Sequence, residues 1–127
     1  MTPEGKVKDC VRDVLRKFGV CYWMPRGTVF GKAGVSDFCC LYKGQFIAIE
    51  TKAAGGKLSK LQKQFLLEIY KQGGIPLVIY PHNLGVIEEI LLDINVIVSG
   101  DMKCLEELRS KVKNTVTAVL LSPSLKS

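Results

Sequence analysis

Asp37-Phe38-Cys39-Cys40-Leu41-Tyr42-Lys43-Gly44-Gln45-Phe46-Ile47-Ala48-Ile49-Glu50-Thr51-Lys52 is the stretch whose reading decides the fold. Two apolar, β-prone runs, Asp37–Tyr42 and Gln45–Lys52, meet at Lys43-Gly44, which reads as the turn of a hairpin. A two-residue turn sets Tyr42 opposite Gln45, Leu41 opposite Phe46 and Asp37 opposite Glu50. A bulged three-residue turn would shift the pairing by one. Directly opposed residues have Cβ atoms about 4.5–5.5 Å apart on one face of a sheet. Side chains alternate along a strand, so Lys52 shares the face of Asp37 and Glu50.

Both faces of the hairpin are apolar: Cys39, Leu41, Phe46 and Ala48 on one, Phe38, Cys40, Ile47 and Ile49 on the other. That pattern predicts a sheet covered on both sides. Two opposed carboxylates repel unless Lys52 or a divalent cation compensates them. Read as packing alone, the three charges are a salt-bridge cluster at a strand end. At the end of a covered sheet, a functional gathering is the better reading.

Working outward, Thr2-Pro3-Glu4 is a helix start, with a capping hydroxyl, a proline suited to the first turn and an acid at the positive end. Val7, Val11, Val14, Leu15 and Phe18 follow helical spacing up to Gly19, and Val20–Met24 reads as a short strand. Pro25–Gly34 is a loop. Ser59 opens a second helix with Leu61, Phe65, Leu66 and Ile69 on one face, closed by Gly73-Gly74. Ile75–Tyr80 is a buried strand, Leu84–Leu92 a helix, Asn95–Ser99 a strand and Met102–Val112 a helix. Thr115–Leu121 is a last strand or a docked tail. With 127 residues and no linker or repeat, the chain reads as one mixed α/β domain over 1–127.

Composition narrows the function. No apolar run reaches the roughly 18 residues of a membrane span, and Met1–Lys6 lacks the apolar core of a secretion signal. Five cysteines without a C-x-x-C spacing argue against a disulfide scaffold or a zinc knuckle and for reduced thiols in the cytoplasm. Residues 1–72 carry 13 Lys/Arg against 6 Asp/Glu, while residues 73–127 carry 5 against 6. A basic surplus in one half fits a surface for nucleic acid or, equally, solvated helix faces. Gly56-Lys57 is no phosphate-binding P-loop, because Leu58 follows and the earlier glycine is absent, so no nucleotide cofactor is expected. His82 reads as a loop residue, and Tyr22 and Trp23 as core packing rather than base-stacking groups.

Gly34-Val35-Ser36-Asp37, Ile49-Glu50-Thr51-Lys52 and Leu58-Ser59-Lys60-Leu61-Gln62 together resemble the motifs of the PD-(D/E)XK nuclease superfamily. They are closest to its VRR-NUC branch, found as small stand-alone phage and bacterial proteins and in a eukaryotic DNA-repair enzyme. The resemblance covers about residues 3–80, with 81–127 as a helical and strand cap, and departs at Ser36, where proline is usual. It implies a restriction-endonuclease-like core, a mixed central sheet flanked by helices in α/β/α layers. The implied activity is a divalent-metal-dependent, structure-selective DNA endonuclease, acting on branched or duplex DNA and extending to Holliday junctions. Asp37, Glu50 and the Thr51 carbonyl would hold Mg²⁺ or Mn²⁺, and Lys52 would activate water or stabilise the phosphate.

Gln62 is implied to orient Lys52 or the water, although Ser59-x-x-Gln62 equally fits a capping box. Glu4 matches an acid on the family's first helix, assisting a second ion, or merely complements the helix dipole. Arg26, Lys32, Lys57, Lys60 and Lys63 would track the DNA backbone, with Arg26-Gly27-Thr28 in the loop before Asp37. The alternative is a nucleic-acid-binding module on a nuclease scaffold, without turnover. The implied setting is a bacterial or phage-infected cell. The apolar residues Val86, Ile90, Leu91, Val96, Val98 and 116–121 suggest a homodimer through residues 84–121, or simply completion of the monomer core.

Overall fold

A computed structural model describes residues 1–26, 34–100 and 102–120, and for Met102 and Val119 the backbone alone. Lys32, Gly27, Thr28 and Leu121 lie outside the described residues. The chain runs α1 (Pro3–Lys17), β1 (Cys21–Trp23), β2 (Phe38–Tyr42), β3 (Gln45–Thr51), α2 (Lys60–Lys71), β4 (Ile75–Ile79), α3 (Gly85–Val98) and α4 (Met102–Thr115). A single 3₁₀ turn covers Pro81–Asn83, and a wide helical turn covers Val116–Leu120. The four strands form one mixed sheet in the order β1-β2-β3-β4. The first two pairings are antiparallel, and β3–β4 is parallel with α2 as the crossover. Pro76 sits in edge strand β4, where a missing N–H is tolerated.

The hairpin forms in the two-residue register, with Tyr42 paired to Gln45, Leu41 to Phe46 and Phe38 to Ile49. Lys43 and Gly44 both take positive φ, 49° and 85°, the backbone whose twist matches that of the flanking strands. Lys43 Nζ donates to Asn95 Oδ1 at 2.5 Å, which anchors this non-glycine residue in its strained conformation.

Alternation then assigns the two faces of the sheet. Tyr42 donates its hydroxyl to Asn95 on α3 at 2.9 Å, so the face of Phe38, Cys40, Ile47 and Ile49 meets α3. On the other face Glu50 accepts from Gln62 on α2. The core joins Phe38, Ile47, Ile49, Leu77 and Ile79 of the sheet to Val11, Leu15, Leu66, Ile87, Leu91 and Ile94 of the helices. Each such side chain, fully buried, contributes on the order of 1.5–3 kcal/mol. Among the described residues, no helix is long and apolar enough to cross a membrane.

Three expectations need correction, and one pair of alternatives is decided. Asn95–Ser99 is not a strand: α3 continues to Val98, because Ile87, Ile90, Leu91 and Ile94 make a helical stripe buried in the core. Of the two alternatives for Thr115–Leu121, the strand does not form within the described residues and the docked tail does, as a helical turn over Val116–Leu120 with Val116 and Leu120 buried. Leu61 points outward because Gln62, its neighbour on α2, takes the inward position. Trp23 and Leu41 are 49% and 48% exposed, so the β1–β2 part of the face bearing Glu50 is not fully covered.

Candidate active site

The site lies where β2 begins and β3 ends. Asp37 immediately precedes β2, one step beyond the Phe38–Ile49 pair, which sets it opposite Glu50. Asp37 Oδ2 accepts from the Thr51 amide at 2.9 Å and from Thr51 Oγ1 at 2.6 Å. Thr51 is fully buried, so these two donors fix the carboxylate's orientation. A threonine between the paired motif residues gave no sequence signal for this function. Asp37 Oδ1 faces Lys8 Nζ at 3.7 Å, and the same ammonium stands 3.6 Å from Glu4 Oε2. Lys8 was also missed; its spacing of four from Glu4 was the available signal.

Glu50 is buried in the sheet. Its Oε1 accepts from Gln62 Nε2 at 3.1 Å and lies 4.0 Å from Lys52 Nζ, while Oε2 is buried with no hydrogen-bond partner. Burial pushes the Glu50 carboxyl up to about 8; the Asp37 charge adds to this, Lys52 opposes it, a hydrogen bond that a protonated Glu50 would share with Asp37 raises it further, and Glu4 adds the smallest push. An acid so placed is short of positive charge. Two facing carboxylates with one open buried oxygen suit a hard divalent cation.

Gln62 takes the capping role its spacing allowed, and its remaining contact is to Glu50 rather than to Lys52. Its Oε1 accepts from the Ser59 amide at 2.8 Å, and its own amide donates to Ser59 Oγ at 3.1 Å, which completes the capping box of α2. Its Nε2 is thereby left free to hold Glu50. Gly34 brings this helix start against the loop before Asp37. It has φ +78°, and a Cβ there would run into the Leu61 carbonyl group and the Gln62 amide.

Asp37, Glu50, Lys52 and Gln62 are therefore brought together. Glu4, in the first turn of α1, joins them at one remove, through the Lys8 ammonium it shares with Asp37. Among the described residues, no three His, Cys, Asp or Glu side chains gather into a metal-holding group. Arg26, Lys57 and Lys60 are exposed and Lys63 half-buried, with Lys57 and Lys60 following β3 at the site's end of the sheet.

No protein-family model matches the chain, and no curated protein matches it. The reading of the site rests on its residues and their geometry.

Proposed function

We propose that the chain is a divalent-metal-dependent nuclease that hydrolyses DNA phosphodiester bonds, built on a restriction-endonuclease-like core of the PD-(D/E)XK, VRR-NUC type. The observation that carries the reading is Glu50: a buried carboxylate opposite Asp37, with one oxygen unpartnered and its pKa raised to about 8. A chain gains nothing in stability from such an arrangement, and perturbed acids of this kind concentrate at functional sites. Asp37, Glu50 and the Thr51 carbonyl would hold Mg²⁺ or Mn²⁺, which when bound polarises a phosphoryl oxygen and acidifies water.

The chain's own groups supply the rest. Thr51 holds Asp37 and Gln62 holds Glu50, so both carboxylates are aimed before any cation arrives. Lys52, on the same sheet face, sets an ammonium beside the pair, where it stabilises negative charge developing on a phosphate. Arg26, Lys57, Lys60 and Lys63 supply contacts to the DNA backbone that carry no base information, so binding weakens as salt rises.

Assembly is a separate matter. Ile90, Leu91, Val116 and Leu120 are buried in the chain's own core, so among the described residues the exposed apolar groups left for a homodimer through residues 84–121 are Leu92, Val96 and Val98.

The test is a panel of labelled duplex, nicked, flapped and four-way-junction DNA, incubated with Mg²⁺, with Mn²⁺ or with EDTA. Cleavage of at least one substrate with metal and none with EDTA is expected. A mobility shift without cleavage under both metals would select the binding module without turnover.

A further inference from the structure

Tyr80 follows β4 directly, one step past the Thr51–Ile79 pair, which sets it beside Lys52 in the parallel register. The Lys52 amide donates to the Ile79 carbonyl at 2.9 Å, which keeps the two strands together to this point. The Tyr80 hydroxyl reaches back over the loop after β3 and donates to the Gly56 carbonyl at 3.0 Å. Gly56 in turn closes a tight turn, its amide donating to the Ala53 carbonyl at 2.9 Å.

This turn lies against the Lys52 side chain. A Cβ on Gly56 would stand 3.0 Å from the Ala53 carbonyl oxygen, 3.3 Å from Lys52 Cβ and 3.4 Å from Lys52 Cδ, so a side chain there would crowd both the turn and the lysine stem. The outcome is a lysine whose side chain is only 14% exposed, with its ammonium directed at Glu50. Lysine side chains otherwise keep many rotamers open and lie free in water.

Tyr80 is itself braced. Its amide donates to Asn83 Oδ1 at 2.6 Å, Asn83 Nδ2 donates to the Val78 carbonyl at 3.0 Å, and its ring stacks on His82 at 5.3 Å and 15°. Partial burial raises the pKa of the hydroxyl, which keeps it a donor.

We infer that Tyr80 is a positioning residue for Lys52, pinning the Gly56 turn over the lysine stem so that the ammonium is held at the Asp37–Glu50 pair. The catalytic consequence rests on the nuclease reading above; the positioning itself does not.

The test therefore has two readouts on wild type and Tyr80→Phe. The first is the rate of reductive methylation of Lys52 in metal-free buffer, followed by peptide mass spectrometry with the exposed Lys57 as internal reference. Tyr80→Phe is expected to speed Lys52 modification several-fold relative to Lys57. The second is steady-state DNA cleavage, where kcat should fall about 10- to 100-fold with KM little changed, as expected of a misplaced group. Gly56→Ala, which crowds the same stem, should likewise alter the Lys52-to-Lys57 ratio, and it serves if Tyr80→Phe does not fold. An unchanged ratio in the folded variants, or a uniform rise at all lysines, overturns the inference. A changed ratio with no cleavage by wild type supports the positioning and overturns the nuclease reading instead.

Discussion

For a carboxylate placed as Glu50 is, buried and facing Asp37, Gln62 and Lys52 do not offset the cost of its charge, and a proton or a cation completes it. Its pKa in the folded chain is about 8, against an ordinary carboxylate near 4.3 in the unfolded one. Between those values the folded state holds a proton that the unfolded state has released, so the contribution of Glu50 to the stability of the metal-free protein falls as pH rises and levels off above about 8. Melting temperatures in EDTA from pH 5 to 9 should show this fall, and Glu50→Gln should flatten it. A slope that survives in Glu50→Gln would assign it to another group. Gln62 can be separated into its two roles in the same way. Gln62→Ala loses the box with Ser59 and the donor to Glu50, and should cost about 1–2 kcal/mol in urea denaturation. Gln62→Glu keeps an acceptor for the Ser59 amide but no donor for Glu50, so it should recover only part of that loss.

At the scale of elements, the glycines separate conformational need from space. Gly34 and Gly55 both have positive φ, but a Cβ at Gly34 meets the backbone of α2 whereas one at Gly55 meets nothing. Gly55→Ala should cost about 1 kcal/mol and Gly34→Ala clearly more, about 2–4 kcal/mol, with loss of site geometry as α2 is pushed away. Equal costs in denaturant titrations would contradict this packing. The same contrast explains what was legible. The hairpin register, the Thr2 and Ser59 caps and the Gly19 stop are set by chemistry within a few residues, and the sequence states them openly. Asn95–Ser99 was misread because Val96, Ile97 and Val98 have strand propensity, while the apolar stripe of α3, sealed against the core, decides otherwise. The Thr51 hydroxyl contact to Asp37, Lys8 and Tyr80 are not legible in the sequence because each acts across the fold, on partners 14 or more residues away.

For the whole molecule, the apolar groups left exposed bear on assembly. Leu92, Val96 and Val98 remain exposed on α3, far fewer apolar groups than the C-terminal sequence offered. Leu92→Glu should therefore change stability by no more than about 0.5 kcal/mol, independent of protein concentration. A larger, concentration-dependent loss would mean that a second copy covers this helix. Lys57 and Lys60 are exposed just after β3, so under the proposed function salt should weaken DNA binding steeply in wild type and less so once both are removed. All of this serves one claim, that Asp37, Glu50 and Lys52 form a metal-dependent site for phosphodiester hydrolysis. The most direct test is single-turnover cleavage of a bound DNA substrate with Mn²⁺ by wild type, Asp37→Ala and Lys52→Ala, each checked for folding by its melting transition. Cleavage by wild type alone, abolished by EDTA, is the predicted result; cleavage that persists in either folded variant would contradict it.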